Sequence, residues 1–173
     1  MKKIIVLSLV CLLLSGCAPA KSAEITTPPA SVKETTAPTE TVAKMMITIA
    51  VYKPDENCEK LETVSMEVEE INAQNILTAL SECDVISDKI TVLSETIETD
   101  SSGRHLHLNF NQELQTSVAS YGTAGEYAVL GAIVNTFIDA YSVDDIYLSV
   151  DGHDLETGHS VYSEPMTKYP VEF

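Results

Sequence analysis

The chain contains no tryptophan, only 6% aromatic residues, and just ten Lys and Arg among 173 positions. With seven Tyr and three Phe as its only benzenoid side chains, it has little material for an aromatic cage or a base-stacking platform. Against 26 Asp and Glu, the ten basic residues leave a formal net charge of -16. That charge repels phosphate backbones and anionic membrane surfaces, which excludes nucleic acid as a partner. The seven Gly stand singly, so no phosphate-cradling loop can be drawn. A Gly-x-Ser-x-Gly elbow is also missing, and no Ser stands beside a His and a carboxylate in a recognisable context. Carboxylates are abundant enough to pair as in a glycosidase, but any acidic chain offers as much. No catalytic residue is named on this basis, and no cofactor is expected. Length, 45% hydrophobic content and 21% charged content fit one globular domain.

Long apolar runs are missing too, apart from one near the start. Lys2 and Lys3 precede Ile4 to Leu14, 11 residues that are apolar except for Ser8. The run is short of the roughly 20 residues that span a bilayer, and it has the flanks of a secretory signal. Leu14-Ser15-Gly16-Cys17 follows, and it resembles the bacterial lipoprotein box. Residues 1–16 therefore read as a lipoprotein signal peptide. Cys17 then becomes the acylated first residue, with diacylglyceryl and palmitate-type chains, because two or more chains anchor stably where one is marginal. An ordinary signal peptide with an incidental cysteine is the alternative. The expected location is the extracytoplasmic face of the cell membrane, reached through lipid on Cys17. Residues 18–44 contain six Ala, six Thr and four Pro among 27 positions, a composition that cannot offset ordering entropy. They read as a disordered tether with a coil span of about 30 Å, or as an O-glycosylated stalk.

Residues 45–173 carry five basic and 23 acidic residues, a net charge of -18. Met45–Tyr52 alternates Ile47, Ile49 and Val51 on one face, and Leu61–Val68 alternates Val64, Met66 and Val68, so the two form a hairpin around Pro54–Asn57. From Ala73 the spacing becomes helical through Ile76, Leu77, Leu80 and Cys83, with a cap near Asn72. Ile90–Thr99 and Arg104–Phe110 read as strands joined through Asp100–Gly103, with Leu106, Leu108 and Phe110 inward. A short polar segment follows. Thr123-Ala124-Gly125-Glu126 has the form of a capping box opening a second helix, which runs to about Tyr141. Its core stripe is Tyr127, Leu130, Val134, Phe137, Ile138 and Tyr141, while Val129, Ile133 and Ala140 extend the apolar surface beyond one face. Asp145–Val150 is the last expected strand, and the remainder is rich in turns. The order β-β-α-β-β-α-β specifies an α+β fold, a mixed sheet with two helices on one face.

Several stretches resemble the GerMN domain of spore-germination and sporulation lipoproteins. They are Val51–Asn57, Asn75–Leu80 on the first helix, Leu108–Asn111, Tyr121–Glu126, Ile133–Thr136 on the second helix, and Ser163–Pro165. The similarity covers about residues 46 to 167. It implies a single GerMN-like domain, similar to the ring-building modules of secretion systems, which make protein contacts and do not catalyse. The chain departs from the pattern in its single domain copy and in Cys58 and Cys83, which stand where the family often has Gly.

Cys11 leaves with the signal and Cys17 takes lipid, so Cys58 and Cys83 remain. In an exported domain these two can pair, since the first lies in the hairpin turn and the second ends a helix that returns toward it. His105 and His107 alternate on one strand and could supply two zinc ligands, but no third ligand is placed, and two solvent-facing His are the commoner case. Asp151, Asp154 and Glu156 around Gly152 offer oxygen ligands without the EF-hand spacing, so a solvated acidic loop is the plainer reading. Two functions remain. One is a non-catalytic interaction module of the envelope, engaging a protein partner or another copy of itself in an assembly linked to sporulation or germination. The other is a module binding cell-wall glycan or a small solute, which would require exposed rings in a groove.

Overall fold

The computed structural model describes residues 45–173. The expected signal peptide, the lipidated Cys17 and the tether lie outside the described residues. Ten elements follow in order: β1 (Ile47–Pro54), β2 (Leu61–Val68), α1 (Ala73–Glu82), β3 (Val92–Thr99), β4 (Arg104–Phe110), α2 (Gln112–Ala119), α3 (Thr123–Tyr141), β5 (Asp145–Val150), β6 (His153–Glu156) and β7 (Val161–Tyr162). The fold is α+β, as the periodicities require. Ile49 and Val51 are buried on β1, and Leu106, Leu108 and Phe110 are buried on β4. Asn72 caps α1, its side-chain oxygen accepting the Asn75 N–H at 2.8 Å.

The strands form two sheets rather than one. β1 and β2 pair only with each other as named strands, and the second sheet has the order β3-β4-β5-β6-β7. That sheet is mixed: β4 and β5 are parallel, and its other pairs are antiparallel. Parallel neighbours need a crossover, and α2 with α3 supplies it. α2 occupies the segment expected to be a polar connection. It buries only Leu114 and Val118, one turn apart, and that single pair is too sparse to show as a helical stripe. β6 and β7 are likewise too short, at four and two residues, to register as period-two runs.

α3 occupies the centre. It touches β1, β2, α1, α2 and β5, and it is buried from Ala128 through Ile138. The width of its apolar surface follows from that position, and Val129 and Ile133 are both enclosed. Tyr127, expected in the core stripe, is instead 41% exposed. β1 meets α3 through a backbone contact as well, its Tyr52 N–H donating to Thr136 Oγ1 at 2.9 Å.

The expected capping box does not form. Gly122 is the N-cap of α3 and makes no side-chain cap bond. Glu126 turns away from the helix end and is only 2% exposed. It accepts hydrogen bonds from Tyr162 OH at 2.7 Å and Thr157 Oγ1 at 2.8 Å, and it pairs with His159 Nδ1 at 2.9 Å. Three partners from the C-terminal segment satisfy that carboxylate better than one helix-end amide could.

Candidate interaction surface

Period-two alternation gives the five-stranded sheet two unlike faces. Ile146, Leu148 and Val150 of β5 lie buried beside Leu106, Leu108 and Phe110 of β4, against the helices. The opposite face carries His105, His107 and Asn109 in register with Asp145, Tyr147 and Ser149, all half-buried. Thr96 and Glu98 of β3 continue this face beside His107 and His105. The rings of His107 and Tyr147 stack across the strands with centroids 4.5 Å apart and planes 2° from parallel. Glu98 Oε2 lies 3.7 Å from His107 Nε2.

At one end of this face, Ser102, His105 and Asp145 form a series. His105 Nε2 is 3.0 Å from Ser102 Oγ, and its Nδ1 is 2.8 Å from Asp145 Oδ1. Those spacings match a nucleophile, a base and an orienting carboxylate. The protons argue otherwise. The Ser102 hydroxyl donates to Asp100 Oδ1 at 2.5 Å, and the same oxygen accepts the Ser102 N–H at 2.6 Å and lies 3.3 Å from His105 Nε2. Bonds to Asp145 and then Asp100 raise the His105 pKa, while Ser102 and then His105 hold the Asp100 carboxyl at about 2. With its hydroxyl donating to Asp100, Ser102 does not aim its proton at His105, whose ring is held between two carboxylates. The group therefore fastens the β3–β4 turn to β5.

His105 and His107 do share a face, as their alternation requires, but each has its own partners. Among the described residues, no three or more His, Cys, Asp or Glu side chains converge as a metal site. This includes Asp151, Asp154 and Glu156 around the β5–β6 turn. That turn places Asp151 at φ 49° and Gly152 at φ 80°. Cys58 and Cys83 are both free thiols and half-buried, so the expected bond between them is not made in this structure. Cys58 sits in the left-handed region at φ 55°, and burial pushes the Cys83 thiol pKa up. Spacing along the chain does not specify whether two Cα–Cβ vectors meet the geometry a disulfide demands.

The family model for Germane, described as sporulation and spore germination, matches residues 50–156. The chain belongs to the Germane family. Among solved structures, the tandem GerMN domains of the sporulation protein GerM from Bacillus subtilis are 20% identical with a TM-score of 0.53, over 81% of this chain and 51% of that one. The first GerMN domain of the same protein is 14% identical with a TM-score of 0.48, over 70% and 97%. A Clostridium perfringens protein whose name assigns it provisionally to the lipoproteins is 23% identical with a TM-score of 0.46, over 71% and 88%. This chain thus spans about half of the tandem protein, and at such identities the likeness is one of fold. No curated protein matches the chain. No helix among the described residues is long and apolar enough to cross a membrane.

The Germane match runs from β1 to the end of β6, so the segment that encloses Glu126 lies beyond it. That segment continues along α3. Asn135, 1% exposed, accepts the Tyr169 N–H at 2.8 Å and donates to the Tyr169 carbonyl at 3.1 Å. The Tyr169 side chain lies over Gly131, where an added Cβ would come within 3.1 Å of it. Beyond it, the Leu61 N–H donates to Val171 O at 2.7 Å and the Phe173 N–H to Glu59 O at 2.9 Å, extending the hairpin. Nothing in a turn-rich stretch announces these roles. The usable signal is Glu126 and Asn135 within the apolar run of α3, because buried polar groups need partners.

Proposed function

We propose that residues 45–173 are a non-catalytic interaction module of the cell envelope. In this reading the module works in an assembly linked to sporulation or germination and is held outside the membrane by lipid on Cys17. The observation that carries it is the open face of β3, β4 and β5. His105 is bonded between Asp145 and Asp100, while Glu98 is exposed and the stacked rings of His107 and Tyr147 stay half-exposed. Membership of a sporulation and germination family supports the setting. A photo-crosslinking residue at Glu98, with another at Gln112 as a remote control, tests the reading in cells. A discrete adduct from position 98 alone is expected; no adduct, or equal smears from both, refutes it. Intact mass tests the anchor: a Cys17→Ser chain that remains membrane-bound would exclude the lipoprotein assignment.

One observation favours the glycan reading. Tyr127 and Phe173 are 41% and 44% exposed, and Tyr127 also meets Tyr169. Their planes cross at 85° and 56°, so the rings close on one another and present no shared platform for a sugar. Soluble peptidoglycan fragments titrated against Tyr127→Ala and the unaltered chain would separate the two readings.

A further inference from the structure

β3 is the outer strand of the five-stranded sheet, and every residue from Leu93 to Thr99 is exposed. The direction of its backbone groups follows from the turn. The Asp100 N–H donates to Gly103 O at 3.0 Å, and beyond that pair an antiparallel ladder bonds at alternate positions. Opposite His105 and His107, Glu98 and Thr96 therefore bond to β4. β4 agrees, since its Arg104 and Phe110 carbonyls turn the other way and accept from Asp144 and Asp151. Glu95, Ile97 and Thr99 consequently point their amides and carbonyls to the free edge.

Side chains on that edge are also uncovered. Leu93 and Ile97 are 52% and 41% exposed, although Ile97 stands opposite the buried Leu106. The helical layer stops at Glu95, whose carboxylate accepts the Ala73 N–H at 3.0 Å and the Tyr141 hydroxyl at 2.6 Å. Edge strands are ordinarily guarded by Pro, charge or bulges; β3, VLSETIET, has no Pro or Lys, and its only charges are Glu95 and Glu98. Its one irregularity, between Val92 and Ser94, lies before the open amides.

Charge selects the occupant. The Glu98 side chain is 68% exposed, with the His107 ring 3.7 Å from its carboxylate and no Lys or Arg paired to it. Three of the domain's five Lys and Arg are committed elsewhere: Lys60 to Glu62 at 3.1 Å, Lys168 to Asp139 at 2.5 Å, and Arg104 to the Ser142 carbonyl at 2.8 Å. A second copy would bring another -18, and setting Leu93 against its Ile97 would place Glu95 opposite Glu95. We propose, building on the interaction-module reading, that the free edge of β3 receives an extended, Lys- or Arg-bearing segment of a partner protein by strand addition. An apolar residue opposite Ile97 and a cation opposite Glu98 occupy successive positions, so the segment alternates apolar and basic residues.

The test uses the full chain in detergent and an eight-residue peptide alternating Val and Lys, beside a peptide of the same composition with its Lys grouped at one end. The alternating peptide should bind at least tenfold more tightly and should slow hydrogen exchange at the amides of Glu95, Ile97 and Thr99. Ile97→Pro removes one outward N–H without breaking the β3–β4 ladder and should weaken binding at least tenfold, whereas Ile97→Thr should stay within threefold. Ile97→Lys, which leaves the backbone unrestrained, should also lose binding, so a misfolded proline variant would not leave the question open. Equal binding of both peptides, indifference to Ile97→Pro and Ile97→Lys, or concentration-dependent protection of these amides without peptide would overturn the proposal. An adduct from position 98 in cells together with failure of the peptide would refute strand addition and leave the interaction module standing.

Discussion

Replacing Glu126 with Gln probes the one buried carboxylate among the described residues. The substitution keeps size and one acceptor oxygen, so Tyr162 and Thr157 can still donate to it, but the new amide meets His159 Nδ1, which at present pairs with the carboxylate at 2.9 Å. Three charge-assisted bonds become two neutral ones and one that requires His159 to be deprotonated. Bonds to charged groups contribute about 1.5–3 kcal/mol and neutral ones about 0.5–1.5. The relief of burying a neutral group offsets part of the difference. A net loss of about 2 kcal/mol is expected at pH 7, which for a domain of this size lowers Tm by roughly 5–10 °C. The pH dependence gives a second readout. Burial alone would raise the Glu126 pKa, but the bonds from Tyr162, His159 and Thr157 outweigh it and the pKa is lowered from 4.5. A depressed carboxylate contributes stability that is complete above its unfolded value, here 4.5, and is lost as pH falls through the folded value. Thermal melts from pH 3 to 8 should therefore show the gap between the two proteins closing below about pH 4.5. A Tm within 1 °C of the parent at pH 7, or a gap that does not change with pH, would refute the reasoning.

Thr123→Ala should change stability by less than about 0.5 kcal/mol in chemical unfolding, because Thr123 makes no cap bond; a loss near 1 kcal/mol would restore the capping box. Asn135→Ala strands the backbone N–H and carbonyl of Tyr169 and should cost about 2–4 kcal/mol, with faster exchange at the Tyr169 amide than anywhere in β4. The His105 pKa is raised by Asp145 and Asp100, so its contribution is complete below its unfolded value of about 6.5 and is lost as pH rises through the folded value. Tm should fall across that window in the parent and stay flat in His105→Gln.

Legibility in the sequence tracked how far each pattern depends on distant chain. Strands β1, β2, β4 and β5 and helices α1 and α3 announce themselves through repeated apolar spacing, since each has a long stripe to bury. α2 has one buried pair, and β7 has two residues, so neither repeats a period. Thr123 and Glu126 carried a strong local signal that failed because Tyr162, His159 and Thr157, more than 30 positions away, compete for the same carboxylate. Division into two sheets was likewise invisible, because alternation says which face of a strand is apolar and not which strand lies beside it. On the candidate surface, the shared face of His105 and His107 follows from alternation alone. The series Ser102, His105 and Asp145 needs the parallel pairing of β4 with β5, which no local pattern encodes.

Gly131, Asn135, Ile146, Glu59 and Leu61 all find partners within residues 166–173. During synthesis those partners emerge after the hairpin, α3 and β5. Until then the Gly131 notch is open, Asn135 is hydrated, and the edge of the hairpin beside Glu59 and Leu61 has nothing to bond. A nascent chain stopped before residue 166 thus holds nearly all of its apolar residues without the piece that closes around them. Residues 166–173 thus tie together the hairpin, α3 and β5, elements made well before them in the chain.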